Sequence, residues 1–350
     1  MIIAIDATEI NFKNANSSFL LEALKVIATE NSNHQFIFII HQANSLEFPK
    51  LANVFFEKIN AKASIFNKSW STLQLARIIK KQKVDLLVLF NSVNLLIRSV
   101  PQCVIVTGAR SLKTSSLRKA QKIIAFSSFA KNLISKQLKK ETNKIEVVPA
   151  AIGKSFGTIG VRRKNEIKEK YSEGKEFFLF VGEIKEERDL IFMLKSFSQF
   201  KKRQQSNLQL LIVGDKNLKF DKNLESYKYR NDIKWILDIE EEELAAITIA
   251  AYAAVQPFRD TQSFLPALQA MQSAVPVIAM CDGVVQEIAK EAGLYINDET
   301  PAALAEKMML IYTNESLRMQ LVEKGKIIAT EFNIAQTAAS LWQSIKKSVN

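Results

Sequence analysis

"PFRDTQSFLPALQAMQSAVPVIA", residues 257–279, joins a Pro-bounded loop to Leu265-Pro266, then to an Ala/Met-rich helical stretch, and ends on Pro-Val-Ile-Ala, the start of a buried strand. A loop, a helix and an apolar strand in that order make a ligand-binding turn in a sheet of parallel strands. Such loops usually bring glycines, which let backbone approach a ligand, and carboxylates, which hold it. This one has no glycine, and its only acid is Asp260.

The same alternation extends outward over the whole chain, which predicts an α/β protein of parallel sheets with crossover helices. In the first half the spacing predicts strands at 1–6, 35–41, 53–59, 85–91, 102–108, 122–127 and 144–149, with helices at 17–30, 70–82 and 128–139. Ser128 is the expected cap of the last helix, since its hydroxyl can accept a free first-turn amide. The stretch AAIGKSFGTIGVRRKNEIKEK breaks the rhythm: Gly153, Gly157 and Gly160 fall within eight residues, and the chain then turns basic. A domain boundary is expected there, near 158. A second series follows, with strands at 177–182, 208–214, 232–237, 253–258, 276–281 and 293–296 and helices at 187–203, 240–250, 265–274, 284–291 and 301–313. Helices near 315–331 and 334–347 close the chain. The expectation is two tandem Rossmann-like doubly wound domains: residues 1–158, residues 159–332, and a C-terminal helix, 333–350, that packs back on the first domain. Ligands in such folds sit at the carboxyl ends of the strands, and here also in the cleft between the halves.

The 350 residues are 47% apolar and 24% charged, the balance of a soluble globular protein. No apolar run approaches the ~18 residues that span a bilayer, and the opening MIIAIDATEI has neither a basic leader nor a cleavage site. Cys103 and Cys281 lie far apart in apolar runs and suit buried thiols in a reducing cytoplasm. His34 and His41 flank one apolar strand, where surface positions outweigh a zinc or catalytic role. Charge is uneven. Residues 1–158 hold 22 Lys+Arg against 9 Asp+Glu, a net +13, whereas residues 159–350 hold 26 against 27, a net −1. The first half therefore carries either lysine-rich solvated faces or a surface that meets something anionic. A membrane leaflet or a phosphorylated lipid or polymer fits better than nucleic acid, for which no reading module is present.

FFLFVGEIKEERDLIFMLKSFSQF, LQLLIVGD and AAVQPFRDTQSFLPALQAMQSAVPVIAMCDGVVQEIAKEAGLYIND together resemble the nucleotide-sugar-dependent glycosyltransferases of the GT-B fold. They are most similar to the retaining group that includes glycogen synthases and enzymes of bacterial surface-polysaccharide assembly. The likeness is specific in order and spacing from about 177 to 298, looser in KIIAFSSFAKNLI and NKIEVVPAAIGKSF, and weak before residue 100. It implies transfer of a sugar from a nucleotide-sugar donor to a glycan or lipid-linked acceptor, with the donor held in the second domain. It implies no metal and no cofactor beyond that donor as substrate, and a cytoplasmic protein peripheral at the inner membrane.

In that family an Arg and a Lys after the first strand of the second domain stabilise the departing diphosphate, helped by amides at a helix start. Two glutamates seven residues apart hold the sugar and the ribose. Carried over by position, Gly182 keeps the glycine that closes the strand, the Arg position is Glu183, and the Lys position is Arg188. Leu265 and Pro266 fix the register of the opening stretch, so the first glutamate falls on Thr261 and the second on Gln269. The intervening glycine-rich triplet becomes Gln262, Ser263 and Phe264, the glycine two residues before Pro276 is Ala274, and Glu287 matches an acid near the nucleotide. In the first domain a His-Asp pair becomes Gly108-Ala109, and an Asn-Gly becomes Ala150-Ala151.

Gln for a ribose-binding Glu keeps an acceptor but loses a charge-assisted bond of roughly 1.5–3 kcal/mol. Glu183 is costlier: a like charge ~5 Å from a diphosphate opposes it by roughly 3 kcal/mol at an effective dielectric of ~20. Plainer roles stand beside these. Gly182 and Gly214 serve equally as turn glycines, Arg188 as a solvated first-turn residue, Gln269 as an outward polar residue and Glu287 as an exposed helix residue. Three readings follow. One is a working glycosyltransferase; the second is a catalytically inactive GT-B relative that binds a partner, a glycan or a membrane. The third is a different Rossmann-type nucleotide enzyme, such as an epimerase that shares the GT-B shape, and the missing glycine fingerprint in AIDATEINF argues against a dinucleotide cofactor for it.

Overall fold

The computed structural model describes every residue except 9–17, 42–47, 60–66, 108–116, 139–141, 154, 185, 216–219, 259–263 and 350, and describes only the backbone of 67–71 and 221. The chain divides into two units, Met1–Ala151 with Phe332–Asn350, and Ile152–Glu331.

In the first unit seven strands follow one another: β1 (Ile2–Asp6), β2 (Gln35–His41), β3 (Val54–Ile59), β4 (Leu86–Phe90), β5 (Gln102–Ile105), β6 (Lys122–Ala125) and β7 (Ile145–Val147). They form one sheet in the order β3-β2-β1-β4-β5-β6-β7, and every pair is parallel. Helices α1 (Ser18–Glu30), α2 (Asn67–Lys81) and α3 (Ser128–Leu138) connect them. Parallel strands are covered on both faces, so they read as continuous apolar runs; β4, LLVLF, is buried at all five positions. The cap of α3 is Ser127 rather than the expected Ser128: the Ala130 amide donates to Ser127 Oγ at 3.0 Å. Cys103 is fully buried on β5, and burial pushes its thiol up to about 12. That leaves it inert at neutral pH.

The second unit begins with a helix that the periodicity did not predict, α4 (Val161–Ser172). Its sequence, VRRKNEIKEKYS, hid it because only Ile167 and Ser172 are buried. Surface pairs between Arg163 and Glu166 (2.9 Å) and between Arg162 and Glu166 (3.5 Å) support it instead. Six strands follow: β8 (Phe177–Val181), β9 (Gln209–Val213), β10 (Ile233–Ile236), β11 (Ala253–Gln256), β12 (Val277–Met280) and β13 (Gly293–Ile296). All are parallel, in the order β10-β9-β8-β11-β12-β13. The helices are α5 (Glu187–Gln204), α6 (Asp221–Glu225), α7 (Glu241–Ala250), α8 (Leu265–Gln272), α9 (Val284–Ala289), α10 (Pro301–Thr313) and α11 (Glu315–Ala329). In α5 acids open the helix and Lys201, Lys202 and Arg203 close it, matching the helix dipole. Its buried stripe, Leu190, Met193, Leu194, Phe197 and Phe200, packs on β8 and β9. In each unit the order reverses beside the first strand, between β1 and β4 and between β8 and β11, the position at which doubly wound sheets open a crevice.

The last helix, α12 (Ile334–Lys346), returns to the first unit. Asn333 caps it, Trp342 packs on His34 and Phe36 with ring centroids 5.1 and 5.8 Å away, and Thr337 Oγ1 donates to the Pro149 carbonyl at 2.8 Å. Ser344 Oγ donates to Glu146 at 2.7 Å, and Lys122 and Lys347 pair with the same carboxylate. Burial opposes ionisation of Glu146, but these three donors outweigh it and hold its carboxyl below the ordinary value.

Candidate functional site

All strands of a parallel sheet end on one edge, so the turns after β8, β9, β11 and β12 gather there. Two glycines shape this edge. The amide of Gly182 (φ +150°) donates to the Val213 carbonyl at 2.9 Å, and that of Gly214 (φ +145°) to the Ile236 carbonyl at 3.2 Å. A Cβ on Gly214 would lie 2.1 Å from the Gly182 carbonyl oxygen, so the two turns touch backbone to backbone. Trp235 Nε1 donates to the Gly214 carbonyl at 2.9 Å. These glycines are structurally obligatory, whatever else they do.

Where β8 and β11 part, Gln256 bridges them. It is 2% exposed, and its Nε2 donates to the Val181 carbonyl at 3.1 Å. The residue reading did not single out Gln256 or Trp235. The available signal was one polar residue ending the apolar run AAVQ, beside a strand that sequence alone does not make its neighbour.

Glu183 is exposed on the turn after β8, anchored by the buried Ile184 that follows. Arg188 lies in the first turn of α5 with its side chain 73% exposed, pairing with Glu186 at 2.8 Å and Asp189 at 3.6 Å. Its charge is thus shared with two adjacent carboxylates in the same helix start. Thr261, Gln262 and Ser263 lie outside the described residues, as do Asp260, Lys185 and Gly108-Ala109. Phe264 caps α8 from an ordinary right-handed conformation (φ −90°, ψ −8°) and is buried, as are Leu265 and Pro266 behind it. Gln269 is 3% exposed on α8, so it does not face solvent. Glu287 is half-buried in the first turn of α9, after Gly283. Gly182, Glu183, Arg188, Phe264, Leu265, Gln269 and Glu287 therefore all stand on turns or helix starts that follow β8, β11 and β12 of one sheet.

Ala274 has a different meaning from a ligand contact. The Val275 amide bonds the Ala270 carbonyl at 2.8 Å, and the Ala274 amide bonds Met271 at 3.1 Å. That is the helix-ending pattern that places glycine in the left-handed conformation, and Ala274 sits there at φ 58°. Glu173 (φ 56°) and Gln205 (φ 48°) close α4 and α5 in the same conformation. Among the described residues no group of three or more His, Cys, Asp or Glu could hold a metal ion, and no helix is long and apolar enough to cross a membrane.

The family model described as Glycosyl transferases group 1 matches residues 161–327. Over 193 residues the chain is 24% identical to the O-antigen chain mannosyltransferase RfbU of Salmonella typhimurium, a match covering 54% of this chain and 50% of that one. The chain spans about half the length of the curated relatives it matches. A glycosyltransferase from Rickettsia africae superposes with a TM-score of 0.76 at 14% identity, covering 100% of this chain and 98% of its own. Anabaena HepE, in complex with UDP and glucose, superposes with a TM-score of 0.75 at 11% identity, covering 99% of each chain. Residues 161–327 are a Glycosyl transferases group 1 domain, and the fold of the chain is GT-B. The resemblance carried by residues 177–298 is borne out.

Proposed function

We propose that the second unit holds a nucleotide sugar at the carboxyl edge of its sheet and that the protein passes the sugar to a glycan or lipid-linked acceptor in surface-polysaccharide assembly, at the inner face of a membrane. The observation that carries this reading is Gln269. A side-chain amide buried on α8, the helix that links β11 to β12, is suited to a hydroxylated ligand such as ribose. The glycine contact of Gly182 and Gly214 keeps the neighbouring turns low enough for backbone to meet a phosphate. The UDP and glucose bound by HepE and the sugar transfer in the name of RfbU support the same class of ligand and chemistry.

A second reading, a GT-B subunit that binds without turnover, is favoured by one specific observation. The turn that would face the diphosphate presents Glu183, and the described cation that follows it in the chain, Arg188, is already paired with Glu186 and Asp189. Titrating UDP, GDP and their sugar conjugates by calorimetry, without metal, separates the two. Micromolar binding that weakens about tenfold in Gln269→Ala is expected. No binding at millimolar ligand would remove the transferase reading and leave the non-catalytic one.

A further inference from the structure

A second surface lies in the first unit. After β4 the chain makes a short loop, residues 91–101, before β5. This loop is clamped from within. Buried Gln102 accepts the Asn94 amide at 2.9 Å and returns its own amide to the carbonyls of Asn94 and Ile97. Asn94 accepts the Leu96 amide at 3.2 Å and donates to Thr72 Oγ1 on α2 at 3.4 Å, which ties loop to helix. Val93 and Ile97 are sunk into the same core as Leu75 and Ile79 of α2. The clamp nonetheless turns Leu95 and Leu96 outward, 46% and 73% exposed, and the adjoining Leu73 of α2 is 55% exposed. Three leucines are thus shown to water on a fastened loop and on the helix to which it is tied.

The charge carried by these two segments is of one sign, the nearby Glu57 of β3 being bonded to Gln82 at 2.7 Å. Arg77, Lys80 and Lys81 on α2 and Arg98 in the loop are all exposed. Residues 67–84 and 91–101 contain no Asp or Glu. A second copy of the chain would bring these cations against themselves, which opposes self-association through this face. Leucines flanked by Lys and Arg suit the boundary of an anionic bilayer, where the apolar side chains enter and the cations stay at the headgroups.

We propose that the outer face of α2 and the 91–101 loop form a docking surface for anionic lipid. This deepens the membrane part of the reading above, and it can stand or fall apart from nucleotide binding, which is measured on the second unit. The test is sedimentation of the full chain with vesicles of mixed phosphatidylglycerol and phosphatidylcholine, against pure phosphatidylcholine. Binding to the mixed vesicles is expected to be at least about tenfold tighter and to fall as salt rises. Leu73→Ser/Leu95→Ser/Leu96→Ser should weaken it at least about tenfold while leaving the melting curve and the nucleotide titration unchanged. Arg77→Gln/Lys80→Gln/Lys81→Gln should do the same, whereas Arg118→Gln/Lys119→Gln/Lys136→Gln, equal in charge, should not. In Leu96→Trp the fluorescence should shift to the blue on mixed vesicles. Equal binding to both vesicle types, equal losses in the two charge variants, or an unshifted Leu96→Trp would each overturn the proposal. So would a change of oligomeric state in the leucine variant with vesicle binding intact, which would assign the patch to a protein contact.

Discussion

At the ends of β8 and β9, two glycines stand in backbone that other residues rarely take. At the end of α8, an alanine stands where glycine would sit more easily. The first pair meets backbone against backbone, 2.1 Å from any Cβ at Gly214, and a neighbouring carbonyl cannot move aside as a flexible side chain can. The alanine needs only a left-handed φ, which costs about 1–2 kcal/mol and no collision. Glu173 and Gln205 tolerate the same conformation at two other helix ends, so at these three positions the chain does without glycine where the penalty is only conformational. The ten glycines in 350 residues accord with that. Missing glycines near 262–264 are correspondingly weak evidence of a lost site. The charges at 183 and 188 are the stronger evidence.

This contrast can be broken at several points. The largest effect expected is Gly214→Ala, where overpacking and positive φ together cost about 3–4 kcal/mol. A melting temperature lowered by roughly 10 °C would show it; an unchanged one would mean that the two turns can separate and that glycine there serves a ligand alone. Next is Glu183→Arg, which exchanges a repelling charge for an attracting one. UDP affinity by calorimetry should rise between about tenfold and a hundredfold if a diphosphate meets this turn, and an unchanged affinity would place the diphosphate elsewhere. The smallest is Ala274→Gly. Relief of the left-handed strain, less the entropy that glycine adds to the unfolded chain, should stabilise by about 0.5–1 kcal/mol. The melting temperature should then rise by about 2–4 °C, and a fall would contradict the reading of Ala274 as a helix cap.

Most of the strands could be located from the residues because parallel sheets bury both faces: FFLFV and LLVLF leave no alternative. Helix α4 was hidden for the opposite reason, since it buries only two residues and rests on surface ion pairs. At the candidate site the sequence supplied residue identities and their register from Leu265-Pro266. It was silent on Gln256, whose role depends on β8 and β11 being neighbours across 75 residues of chain. It also left open whether Gln269 faces inward, which burial of the whole α8 head decides.

The sequence by itself determined the two doubly wound units, the charge contrast between the halves and the replacement of the diphosphate Arg by Glu183, because periodicity, composition and identity are properties of the chain taken in order. Only the tertiary structure decided which glycines are indispensable, that Arg188 is already paired, and that Leu95 and Leu96 stand outward on a clamped loop. Each of those depends on atoms brought together from distant or folded segments, and distance in space is not written in the order of residues.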